Sequence, residues 1–153
     1  MQASRILPDL QCSLICEDVR QEATGNFILV GVIDIVRVPQ VPVTAHKLTV
    51  FNRWTAGLGQ FGESVRLIAP DENTVVCKSD VKFAMKDPNI NATTVTLFGN
   101  VKFESAGTYY VEVTVDDVMK VRYPLNVVVQ PQQGQGQQGT PPQQQPPSGT
   151  SPS

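Results

Sequence analysis

Few side chains in this chain have the type and spacing that chemistry demands. His46 is the only histidine, and no Ser, Cys or Asp stands in a recognisable motif around it. A nucleophile, base and orienting group would have to converge on one pocket, so His46 is expected to be an exposed or hydrogen-bonded structural residue. Asp116 and Asp117 resemble an acid–base or calcium pair, but adjacent strand residues point to opposite faces. They are expected to form a polar hairpin turn. Gly57-Leu58-Gly59-Gln60-Phe61-Gly62 spells the glycine pattern of dinucleotide sites, yet it leads into a strand pattern. No helix N-terminus follows to hold a phosphate.

The three cysteines do not form a metal set. Zinc-ligand spacing is absent, and a single histidine cannot complete the coordination. Cys12 and Cys16 lie four residues apart on a strand, about 13 Å, whereas a disulfide needs Cα atoms within roughly 7 Å. All three lie on apolar faces, where a thiol packs as a small hydrophobe, and this usage suits a reducing cytosol. The expectation is a non-enzyme with no catalytic, cofactor-binding or metal-binding residues. Two surface features remain. Arg53, Trp54 and Arg66 form a candidate recognition patch of one aromatic and two guanidinium groups, weighed against a core Trp flanked by solvated arginines. Lys78, Lys82 and Lys86 recur on one strand face, the usual protection of an edge strand.

The elements that must position these residues follow from composition. Of 153 residues, 41% are hydrophobic, with 12 Lys+Arg against 14 Asp+Glu and a net charge of −2. That allows one domain with a real core. It disfavours a nucleic-acid binder, which needs a basic surface. No apolar run approaches the roughly 20 residues of a membrane helix, and no signal-peptide pattern opens the chain. From Gln130 to Ser153 only Gln, Pro, Gly, Ser and Thr occur. Such a segment has nothing to bury against the entropy of ordering, so residues 1–129 are expected to be a folded domain and 130–153 a disordered tail. No PxxP motif is present in it for a polyproline reader.

Within 1–129 the apolar period is two. Val75, Cys77, Val81, Phe83 and Met85 alternate with polar residues; so do Val95, Leu97, Val101 and Phe103, then Tyr109 to Val115, then Val121 to Val129. Upstream, Leu10–Cys16, His46–Thr55 and Glu63–Ala69 read as further strands. Phe27–Val38 is apolar on both faces and is expected to be a single central strand, or one covered by a neighbouring subunit. About eight strands, within seven to nine, indicate an antiparallel β-sandwich. The run Glu104–Val113 resembles the E–F corner of immunoglobulin-like domains, with Gly107 and Tyr109 as the structural corner: there the tyrosine hydroxyl bonds back to upstream backbone.

The stretches Ser13–Arg20, Gly25–Val32, Leu48–Trp54, Val65–Asp71 and Gly107–Val129 together resemble a bacterial family of small proteins of unknown function. The resemblance spans about residues 12–129 and implies a compact β-sandwich in a prokaryotic cytosol, with no activity or site residues carried over. Two functions are therefore expected. The leading one is a cytoplasmic protein-interaction or assembly module, with a protein partner or self-association and neither nucleic acid nor membrane. The alternative is a small-ligand or carbohydrate-binding domain using Trp54 and the Gly57–Gly62 loop.

Overall fold

The computed structural model describes residues 5–131 and Gly149. The expected tail therefore lies outside the described residues, apart from Gln130, Pro131 and Gly149. Among the described residues there are nine strands and no helix: β1 (Asp9–Gln21), β2 (Phe27–Val32), β3 (Ile35–Val38), β4 (Val43–Thr55), β5 (Gly59–Ile68), β6 (Val75–Met85), β7 (Ala92–Phe103), β8 (Gly107–Val115) and β9 (Val118–Val129). They form two sheets, ordered β2-β1-β4-β7 and β3-β9-β8-β5-β6. All pairings are antiparallel except β3 with β9.

Period-two sequences give each sheet one apolar face, and the two faces meet. Leu48, Val50 and Trp54 of β4 and Phe98, Val101 and Phe103 of β7 pack against Phe61, Val65 and Leu67 of β5, Tyr109–Val115 of β8 and Leu125 and Val127 of β9. At roughly 2 kcal/mol per fully buried large apolar side chain, this interior is the main source of stability. Trp54 stacks on Phe83 across the sandwich, with ring centroids 5.5 Å apart.

The crossover from β7 to β8 is pinned as a tyrosine corner is. The Tyr109 hydroxyl donates to the Ser105 carbonyl at 2.8 Å, and its ring stands edge-on to Phe103. Gly107 has φ of +142°, and a Cβ there would lie 3.0 Å from the Pro70 ring. Both conditions select glycine. The β8–β9 hairpin closes through Asp116 (φ 45°) and Asp117 (φ 65°), the positive-φ pair of a type I′ turn. Asp116 locks to β5: its Oδ1 accepts from the Gly62 amide at 2.8 Å, and its own amide donates to the Gly62 carbonyl.

Two expectations need correction. Phe27–Val38 is not one central strand. It is β2 and β3, which lie at the edges of different sheets, with the chain switching sheets at Ile33 and Asp34. A kink precedes the switch, for Gly31 has φ of +64° and a Cβ there would sit 2.7 Å from the Glu17 carboxyl. The Gly57–Gly62 loop is also shorter than expected, because β5 begins at Gly59 and only Ala56–Leu58 turn the chain.

Tyr109→Phe removes one hydroxyl and leaves the ring packing intact. The expected loss is about 1–1.5 kcal/mol, the worth of one intramolecular hydrogen bond, seen as a lower urea midpoint with an unchanged slope.

Candidate functional site

The register of the four-stranded sheet sorts its residues into two sides. Facing the core are the rows Ile15–Val50–Thr96, Ser13–Asn52–Thr94 and Leu10–Trp54–Ala92; facing out are Cys16–Thr49–Leu97, Leu14–Phe51–Val95 and Cys12–Arg53–Thr93. The residues of the expected recognition patch are therefore not brought together. Trp54 is 0% exposed in the core. Arg53 is exposed on the outside of one sheet, whereas Arg66 lies on the outside of the other, its guanidinium reaching both Glu112 carboxylate oxygens at 3.3 and 3.4 Å. Alternation along β4 and β5 forces this, since neighbours in a strand cannot share a face. A ligand stacking on Trp54 is excluded by the same burial.

Sequence reading missed a polar seam inside the core. Glu63 is 1% exposed, and its Oε2 accepts from Trp54 Nε1 and Thr94 Oγ1, both at 2.5 Å. Nearby in register, Ser13 Oγ and the Tyr123 hydroxyl are 3.0 Å apart, and burial pushes the Tyr123 hydroxyl up to about 12. Asn52 stands between Ser13 and Thr94 in the same row. It is fully buried, and neither side-chain atom meets a hydrogen-bond partner among the described residues. A signal did exist: Glu63 alternates in phase with Phe61, Val65 and Leu67.

The outward side of this sheet carries a second, smaller apolar cluster. Cys16, Thr49 and Phe51 face away from the main core and are nevertheless buried. The β1–β2 hairpin explains this, because it folds back as an arm: Phe27 near its tip stands edge-on to Phe51, with centroids 5.8 Å apart. Asp18 ties the arm down. It accepts from Lys47 Nζ at 2.8 Å and Arg20 Nε at 3.2 Å, and these two partners hold its carboxyl below the usual range. Around the arm much apolar surface stays open, including Ile28, Val95, Val32 at 51% and Leu97 at 60% exposure.

The four sheet edges differ in chemistry. β6 carries Lys78, Asp80 and Lys82; β7 carries Lys102; β3 carries Arg37. β2, with the sequence Phe27-Ile28-Leu29-Val30-Gly31-Val32, carries no charge and no proline. Charges, prolines and bulges are how edges avoid unwanted pairing. Of these, β2 has only the local kink at Gly31.

The remaining candidates fall where their residue types suggest. His46 is exposed on β4. All three cysteines are free; burial raises the Cys16 thiol and raises the Cys77 thiol to about 11. Among the described residues no group of three or more His, Cys, Asp or Glu side chains is placed to hold a metal ion.

Against known protein families, the model described as "Family of unknown function (DUF6941)" matches residues 11–128. No curated protein matches the chain.

Two outcomes follow from the buried groups. Trp54→Phe removes the indole donor from the buried Glu63 side chain, and is expected to cost about 2–4 kcal/mol through the lost hydrogen bond and lost volume. Equilibrium denaturation reads it. In thiol titration at mildly alkaline pH, Cys77 should react about a hundredfold more slowly than a free thiol, and unfolding should abolish the difference.

Proposed function

We propose, from the premise that the chain belongs to this family of unknown function, that it is a non-enzymatic assembly module that pairs with a second copy of itself through β2. The carrying observation is the uncharged, proline-free edge of β2 beside three edges that each hold a charge. Antiparallel pairing about a twofold axis through Val30 sets Ile28 opposite Val32 of the other copy. Both side chains lie on the outward side, half exposed, so an isologous contact buries apolar surface against apolar surface. Asp18 of the arm is already paired with Lys47 and Arg20. The result is one continuous eight-stranded sheet across two sandwiches.

The strand order supports an immunoglobulin-like reading of the sandwich. β4 pairs with β7 in one sheet, β5, β8 and β9 adjoin in the other, and β3 runs parallel to β9, with the Tyr109 corner at the β7–β8 crossover. Three free thiols support a reducing, cytosolic setting.

Size-exclusion chromatography with light scattering tests self-association. The native chain should change from monomer to dimer across the micromolar range, and Ile28→Lys, which places a cation on the free edge, should be monomeric with unchanged stability. A native chain that stays monomeric throughout would sink the reading.

A further inference from the structure

We propose that the groove beside the arm tip binds a carboxylate carried next to an apolar or aromatic group. The groove has a volume of about 590 Å³, within the size range of small-molecule sites. Phe27 from the arm and Phe51 from β4 form its apolar wall, and Arg53 with Thr93, directly opposite it on β7, forms the polar side.

Arg53 is held in place for this task. In the amide orientation that satisfies both of its ends, Asn91 accepts from Arg53 Nη2 at 2.7 Å and Nε at 3.3 Å, while its nitrogen donates to Thr55 Oγ1 at 2.8 Å. That contact occupies one edge of the guanidinium. The end-on edge, with one N–H from each Nη, stays free, and two parallel N–H groups match the two oxygens of a carboxylate. Arg5, Arg20, Arg66 and Arg122 each have an acidic partner, whereas Arg53 and Arg37 have none among the described residues, and of these two only Arg53 lines the groove. One cation flanked by neutral amides suits a planar monoanion better than a phosphate dianion, and the phenyl rings add contact for the group that bears it. The site is distinct from the pairing proposed above, since Phe27 is the one β2 residue in the groove and its ring packs on Phe51.

Amide NMR titration of the full chain tests it, with benzoate, acetate, inorganic phosphate and N-acetylaspartyl-phenylalaninamide as probes. Benzoate should shift Asn26, Phe27, Arg53 and Thr93 saturably, and more tightly than acetate. Arg53→Ala should weaken benzoate at least about tenfold. Arg53→Lys, which keeps the charge and loses the planar fork, should weaken it too. Tighter binding of the peptide identifies a partner protein's acidic side chain as the source, and tighter binding of benzoate identifies a free acid. No saturable shift, unaltered affinity in Arg53→Ala, or phosphate binding more tightly than benzoate would each overturn the proposal. The monomeric Ile28→Lys chain should bind benzoate as the native chain does.

Discussion

The hydrogen bonds that cross the sandwich at Glu63 are the constraint on which the rest depends. Apolar faces attract one another without direction, so they bring two sheets together but do not choose their alignment. A carboxylate that must meet both the Trp54 indole and the Thr94 hydroxyl does choose. Burying a polar group is costly unless its partners are in place, and sliding either sheet by one residue would take both partners away. Ser13 with Tyr123 adds a second such tie further along the seam. The core thus obtains its strength from aliphatic and aromatic packing and its register from a few polar atoms.

The same division of labour recurs outside the core on a smaller scale. The arm formed by β1 and β2 is placed over the outward face by Phe27 against Phe51 and fixed by Asp18 with Lys47. Gly31 lets the arm bend where a Cβ would strike Glu17. Bending buries Cys16 and Thr49 and leaves the far side of β2 with nothing alongside. Covering one apolar surface has exposed another.

Much of the architecture was legible in the sequence because a half-buried strand writes its two faces into alternate residues. β6 to β9 were readable for that reason, as were the Tyr109 corner and the Asp116-Asp117 turn, whose residue types serve few other backbone geometries. Phe27–Val38 misled because a run apolar on both faces has no alternation to mark where it changes sheets, and Gly31 and Asp34 were its only punctuation. The Arg53, Trp54 and Arg66 patch failed on the rule that made the strands readable: neighbours in a strand part company. Arg53 remains of interest through Asn91 and Phe27, which are distant in sequence, and no local pattern links them. Glu63 was visible in phase with its apolar neighbours, but only a known partner sheet gives that phase a meaning.

Trp54 is the only tryptophan, and its indole N–H points at a carboxylate at the junction of the sheets. Under excitation at wavelengths too long for tyrosine to absorb, the emission therefore comes from that one contact. Separation of the sheets changes its colour and intensity, whereas lifting of the arm, on the opposite side of β4, leaves it dark to the spectrometer. The molecule has an optical reporter that distinguishes loss of its interior from motion of its outer limb.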